Sequence, residues 1–310
     1  MRVVFMGTPD FAVPSLQVLH ENGYEVTLVV TQTDKPQGRK QILTPSPVKE
    51  YALAHNLPVY QPTTLKTQEA YDRIAAEKPD FIVVTAYGKI LTKEILAIPS
   101  YACVNVHGSL LPQYRGAAPI QWSVLNGDKQ TGITTMLMDA GIDTGDILLQ
   151  KVTPIGEEET AGELFDRLAA LSAPVLLETL EKFVKGEIKP QKQDDEKACY
   201  VSVLKKEMAL IDWSQPAEKI HNLVRGMHPW PVAFTKFGGK TLKVHSCAFV
   251  DRSFGKDTGE AVFAENSLFV RCGDGKCVRL NSVQLEGSKR MDISDFLRGH
   301  PVESKTILGE

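Results

Sequence analysis

The chain has 310 residues, 43% hydrophobic and 24% charged, with 35 Lys and Arg against 38 Asp and Glu, which is the composition of a folded globular protein and excludes a disordered or collagen-like chain. A net charge of −3 argues against a protein that grips nucleic acid through bulk positive field, so any such contact is local. Five sparse cysteines, an N-terminus lacking a secretory apolar region and the absence of any uncharged apolar run near the ~20 residues that span a bilayer fit a reducing cytoplasm, with no membrane.

Apolar runs rich in Val, Ile and Phe lie at 3–7, 25–32, 80–87 and 102–108. They lack clean alternation, as strands buried on both faces do, and imply a parallel sheet. Helices are predicted between them: 14–22, ending at Asn22-Gly23; 46–56, with Ser46 as N-cap and Pro47 at the first helical position; and 67–78, ending before Pro79. Thr160 and Glu163 have capping-box spacing and open a long apolar-periodic helix that stops at Gly186. Residues 1–187 therefore read as an α/β domain with a doubly wound, mostly parallel sheet. Residues 188–205 are polar and charged, as a linker or a strap over the surface would be. Residues 206–310 turn to short β runs with a last helical stretch near 292–298, a small all-β barrel or sandwich. This part carries 15 Lys and Arg against 13 Asp and Glu, net +2, where residues 1–205 carry 20 against 25, net −5. Its sign suits contact with a polyanion.

The chemistry concentrates in NVHGSLLPQYRGAAP (105–119) and AGIDTGDIL (140–148). Asn105 and His107 are two apart at the end of a predicted strand, so they leave one face at the carboxyl edge, where open α/β sheets bind ligands. Asp143 lies in a Gly-flanked loop. An amide donor, an imidazole and a carboxylate together suit acyl transfer: one polarises a carbonyl, one moves a proton, one orients the ring. By spacing alone the same residues also read as a capping amide beside a satisfied histidine, with Asp143 in an Asx-turn. Ser109 has no nucleophile-elbow context and Cys103 sits in an apolar strand, so direct transfer is favoured over a covalent route. GTPDFA (7–12) lacks the dinucleotide spacing. CGDGKC (272–277) reads as a hairpin turning at Asp274-Gly275 and has no second ligand pair at zinc spacing, so no metal is assigned. The loop 33–47 holds three basic residues, three prolines and a glycine, too polar for a core and long for a connection; a solvated loop is its plain reading.

The block NVHGSLLPQYRGAAPIQW, followed by MDAGIDTGDIL, resembles the signature of the folate-dependent formyltransferases. MGTPDFAVPSL (6–16), TQTDKPQGRK (31–40), TPSPVK (44–49), AYGKIL (86–91), IDW (211–213), RGMHPWP (225–231) and GSKRM (287–291) extend the resemblance along essentially the whole chain, to the members that act on methionyl-tRNA. The resemblance implies a Rossmann-like formyltransferase domain over 1–187, a linker over 188–205 and an OB-like tRNA-binding barrel over 206–310. It implies transfer of the formyl group of 10-formyltetrahydrofolate to the α-amine of initiator methionyl-tRNA by direct attack through a tetrahedral intermediate. Asn105 and His107 would hold the oxyanion and Asp143 the imidazole. Ser109, Leu110, Leu111 and Pro112, with Tyr87 and Gly88 of the AYGKIL loop, would line the folate site, and Gly7 to Phe11 would flank the methionyl cavity. Arg39 and Lys40 would reach the acceptor arm; Lys206, Arg225, Lys289 and Arg290 are further candidate tRNA contacts. One active site per chain implies that a monomer suffices. A formyltransferase acting on a nucleotide sugar or on glycinamide ribonucleotide, or a formyltetrahydrofolate hydrolase, would share Asn105, His107 and Asp143. A non-catalytic RNA-binding module would explain only the C-terminal part.

Overall fold

Short, doubly buried Val- and Ile-rich runs make the sheet that carries the site. The computed structural model describes residues 1–38, 41–303 and 305–309. Seven strands stand in the order Ile147–Pro154, Gln130–Leu137, Ala102–His107, Phe81–Thr85, Arg2–Gly7, Glu25–Val30 and Val59–Tyr60. The last five are parallel to one another, and Gln130–Leu137 runs antiparallel to Ala102–His107. This is the mostly parallel, doubly wound sheet that the β–α alternation predicts. Gln130–Leu137 and Ile147–Pro154 were not anticipated. The first buries Thr131, Thr134 and Thr135, β-branched residues suited to a strand whose hydroxyls make the run read as polar.

The helices Val13–Glu21, Pro47–Ala54, Gln68–Ala75 and Ala161–Val184 lie where periodicity and capping place them. Ser46 accepts from the Lys49 N–H at 3.1 Å and Thr67 from the Ala70 N–H at 3.3 Å. Thr160 and Glu163 cap each other, with the Glu163 N–H 3.3 Å from the Thr160 hydroxyl and the Thr160 N–H 2.9 Å from the Glu163 carboxylate. The long helix is fixed to the sheet by a buried hydroxyl pair, Thr135 and Thr179, at 2.8 Å. Val4, Met6, Leu28, Val30, Ile74, Ile82 and Ile95 form part of one core cluster, each such burial contributing roughly 1.5–3 kcal/mol.

The chain divides into two compact units, the first made of Met1–Pro119, Thr131–Thr153 and Phe165–Val201, the second of Ile120–Gln130, Pro154–Leu164 and Ser202–Glu310. The break near the C-terminal part falls at 201/202, inside the expected 188–205 segment, but most of that segment is no linker. Gln191 exchanges two backbone hydrogen bonds with Ile147, and Tyr200–Val201 pair in parallel with Arg115–Gly116. The segment stays largely exposed, while its backbone and the amide of Gln193 bond protein groups. In the second unit six strands form an antiparallel, nearly closed barrel-like sheet: Phe234–Phe237, Lys240–Val250, Cys277–Leu285, Ser267–Arg271 and Ala261–Ala264 in that order, with Met291–Asp292 beside Cys277–Leu285. The helix Ile293–Gly299 matches the expected last helix; Ala217–Gly226 was not foreseen.

Candidate active site

Alternation along the strand Ala102–His107 sends Asn105 and His107 to one face. Both are nearly buried, 8% and 7% exposed. Asp143 comes from the loop joining Gln130–Leu137 to Ile147–Pro154. It holds a φ of +54°, in the left-handed region where Asp is better tolerated than most residues. The loop folds on itself: the Asp139 carboxylate accepts from the Gly141 N–H at 3.0 Å and the Thr144 hydroxyl at 2.8 Å. Gly145 lies so close to Leu137 that a Cβ there would sit 1.8 Å from the Leu137 carbonyl oxygen, which leaves room for no side chain.

The three groups meet. Asn105 Nδ2 donates to Asp143 Oδ1 at 3.4 Å, the Gly116 N–H donates to Asp143 Oδ2 at 2.8 Å, and His107 Nδ1 stands 3.7 Å from Asp143 Oδ2. The expected grip of Asp143 on the imidazole is not made, because 3.7 Å is beyond hydrogen-bond reach. The ring is held by the Tyr114 carbonyl, 3.0 Å from His107 Nε2. A carbonyl only accepts, so Nε2 carries a hydrogen, and Nδ1 is the ring nitrogen that faces Asp143. An amide donor, an imidazole nitrogen and a carboxylate thus surround one point in a site largely shielded from water, where fixed dipoles act strongly on developing charge.

The segment expected to line the folate site is tied to the strands beside it. The Ser109 hydroxyl donates to Gln113 O at 2.6 Å, the Leu111 N–H to the Thr134 hydroxyl at 3.1 Å, and the Gln150 amide to Leu111 O at 2.9 Å. These bonds hold Ser109, Leu110, Leu111 and Pro112 as a rigid wall. Tyr87 departs from expectation: its ring belongs to the hydrophobic core, 1% exposed, and burial pushes its hydroxyl up to about 12. The positive φ of Ala86, +47°, accompanies a turn after which Tyr87 lies inside. Its carbonyl accepts from the Thr8 hydroxyl at 3.1 Å and the Gln32 amide at 2.7 Å. Gly88 is exposed. The Thr8 bond joins the loops after Arg2–Gly7 and Phe81–Thr85, where the strand order reverses and α/β sheets characteristically bind ligands. Phe11 is buried, its ring centroid 5.3 Å from that of Phe165.

Within the loop 33–47, Lys35–Gln37 pair antiparallel with Ile42–Thr44; Arg39 and Lys40 lie outside the described residues. At its base the Asp34 carboxylate bonds Lys49 Nζ, 2.7 Å at the shorter contact, and the Gln61 amide at 2.8 Å. These bonds, that of Lys49 foremost, hold the Asp34 carboxyl below the ordinary carboxylate range. In the second unit Lys206, Lys289 and Arg290 are exposed. Arg225 is not available to a phosphate: it is buried, donating to Asn222 Oδ1 at 2.9 Å and to the carbonyls of Gly156 and Glu159 at 3.2 Å. Among the described residues no group of three His, Cys, Asp or Glu is placed to hold a metal, the five cysteines are free, and no helix is long and apolar enough to cross a membrane.

Sequence reasoning missed four residues here: Tyr114, Arg115, Gly116 and Gln193. Arg115, 2% exposed, bonds Asp195 at 2.8 Å, the Tyr200 hydroxyl at 3.0 Å and Gln193 Oε1 at 3.0 Å. Gln193, 5% exposed, donates from Nε2 to the carbonyls of Asp143 and Gly145 at 2.8 and 2.7 Å. The one available signal was Tyr-Arg-Gly inside the catalytic block; Gln193 has none, lying in a stretch without apolar period.

Two family models match the chain, one described as formyl transferase over residues 1–180 and one as formyl transferase, C-terminal domain, over residues 203–301. A methionyl-tRNA formyltransferase of Clostridium novyi (strain NT) is 47% identical over 310 residues, covering 99% of this chain and 100% of its own length. The protein of that name from Caldanaerobacter subterraneus subsp. tengcongensis is 49% identical over 309 residues, covering 99% and 100%. Among solved structures, WlaRD, described as a sugar 3N-formyl transferase in the presence of dTDP and 5-N-formyl-THF, superposes with a TM-score of 0.69 at 21% identity, over 93% of this chain and 99% of that one, a likeness of fold.

Proposed function

We infer the activity from one premise: the chain belongs to the formyl transferase family, whose two modules it carries in order, and it moves the formyl group of 10-formyltetrahydrofolate onto the α-amine of initiator methionyl-tRNA. The meeting of Asn105, His107 and Asp143 carries the reading, and the relatives at 47% and 49% identity over their full lengths support the choice of acceptor.

The amine attacks the formyl carbon directly, because the two nearest candidate nucleophiles on and beside the strand, Ser109 and Cys103, are not competent. The Ser109 hydroxyl is committed to Gln113 O, and burial pushes the Cys103 thiol up to about 12. Asn105 Nδ2 donates to the oxyanion that develops on the formyl oxygen. The amine sheds one proton and the departing N10 gains one; His107 Nδ1 and the Asp143 carboxylate are the acceptors that carry it. A protonated Nδ1 then donates to the oxyanion while Nε2 stays bonded to Tyr114. The wall Ser109 to Pro112 and the main chain at Gly88 bound the pterin slot, mostly by shape, as small-ligand pockets do. Arg39, Lys40, Lys206, Lys289 and Arg290 supply local charge for tRNA phosphates, and a single chain suffices.

The test is incubation with 10-formyltetrahydrofolate and each acceptor in turn. Formylation of charged initiator tRNA, with none of uncharged tRNA or of an amino-sugar nucleotide and no formate released without acceptor, is the expected result. Faster formylation of the sugar nucleotide, or acceptor-independent formate, overturns the reading.

A further inference from the structure

The chemistry above uses Asn105, His107 and Asp143 but leaves unexplained why a polar segment far along the chain is bonded so heavily around them. Residues 191–201 touch both sides of the site. On the Asp143 side, Gln191 exchanges backbone bonds with Ile147, and the Gln193 amide donates both of its hydrogens to the carbonyls of Asp143 and Gly145. On the His107 side, the Arg115 N–H donates to Cys199 O at 2.8 Å and the Ala117 N–H to Val201 O at 3.1 Å. The Tyr114 N–H points to Cys199 Sγ at 3.1 Å. Those bonds fix the turn that presents the Tyr114 carbonyl to His107 and the Gly116 N–H to Asp143. Gly116 itself, at φ +103°, admits the contact only as glycine, since a Cβ would lie 2.6 Å from Val201 O. The guanidinium of Arg115 closes the circuit, joining Gln193, Tyr200 and Asp195 from inside the protein.

We propose that Gln193 is a positioning residue for the formyl transfer, the centre of a strap, 191–201, that sets the left-handed turn at Asp143 and, through Arg115, couples it to the turn that orients His107. The proposal rests on the reading of Asp143 as a catalytic residue. The physical reasoning is geometric. Asp143 adopts a left-handed backbone conformation that, even for an Asp, is less populated than the right-handed one, so the bonds around it help to hold it. The two carbonyls that Gln193 grips flank that residue's turn, so losing the grip lets the carboxylate leave the point shared with Asn105 and His107. A side chain with two donors and an acceptor, all engaged, transmits the position of Arg115 to the loop with no spare freedom.

The experiment compares Gln193→Met, which keeps the volume and deletes the amide, with Gln193→Glu, which keeps the acceptor toward Arg115 and deletes the donors. Single-turnover and steady-state kinetics of the full chain with 10-formyltetrahydrofolate and methionyl-tRNA are the readout. Loss of an orienting partner typically costs about 10- to 100-fold, and that loss is expected in kcat for either variant, with KM for both substrates moving less than about twofold. Because Gln193 acts through Asp143, the same change made in an Asp143→Asn background should cost less than about threefold, the non-additivity of groups that work as a unit. A kcat within twofold of wild type, a loss carried by KM for methionyl-tRNA, or an undiminished cost in the Asp143→Asn background overturns the proposal. If Gln193→Met does not fold, Gln193→Glu decides by the same criteria. The two readings fail separately: full activity in Asp143→Asn discards the catalytic assignment, whereas an inactive Asp143→Asn beside a fully active Gln193→Met discards only the strap.

Discussion

Two segments frame the site, and they are built on opposite principles. The strand Ala102–His107 is buried at all six positions and bonds its neighbours through a regular backbone ladder. The segment 191–201 is largely exposed and polar, makes short backbone pairings only at Gln191 and at Cys199–Val201, and is fixed between them by Gln193 and the residues that Arg115 gathers. The strand derives its position from burial of apolar surface, which needs no particular partner. The strap derives its position from directed bonds to named partners, and loses it when one is removed. On the proposed mechanism a rigid apolar element places the groups that react, and a polar one adjusts their aim.

The sharpest break in this comparison is at the reacting groups themselves. His107→Ala or Asp143→Ala should lower the single-turnover rate by more than about a thousandfold, the upper range for general acid–base groups; wild-type chemistry in either discards its assignment. Asn105→Ala, on the strand, should cost about a hundredfold, roughly 3 kcal/mol of transition-state stabilisation, with the fold intact by circular dichroism. Arg115→Met probes the strap instead. It removes the guanidinium from Gln193, Tyr200 and Asp195, and urea unfolding should show about 1–3 kcal/mol lost, chiefly because the buried Gln193 Oε1 is left without its donor; an unchanged midpoint would mean that the strap is held by its backbone bonds alone. The smallest effect belongs to Asp195→Asn. The Asp195 side chain is 75% exposed, so water screens its bond to Arg115 and the change should cost under about 1 kcal/mol by the same measurement.

The same contrast explains what could be read in the sequence. The strands at 2–7, 25–30, 81–85 and 102–107 and the capped helices were legible because their residue types state their environment: Val and Ile for a doubly buried strand, Ser46 and Thr160 for helix starts. Asn105, His107 and Asp143 were legible as a group through family resemblance, and their spacing added the shared face of Asn105 and His107. Their hydrogen bonds were not legible. Nothing in the sequence says that Tyr114 O, and not Asp143, holds the ring, because that depends on a turn with Tyr114 at φ +60°. Gln193 was invisible for a related reason: a buried amide and an exposed one look alike in sequence, and the residues that bury it stand 48, 50 and 78 positions away. Tyr87 and Arg225 erred in the opposite direction. Both are residue types common at binding surfaces, and both are inside here, one in an apolar core and one satisfied by carbonyls.

The Tyr114 carbonyl has a consequence for the catalytic cycle. By occupying one nitrogen of His107 it leaves the ring a single doorway for protons, and that doorway opens onto the reacting atoms. On the proposed route a proton taken up there passes to Asp143 or to the departing N10 and nowhere else, so the nitrogen that receives it is also the one that gives it back.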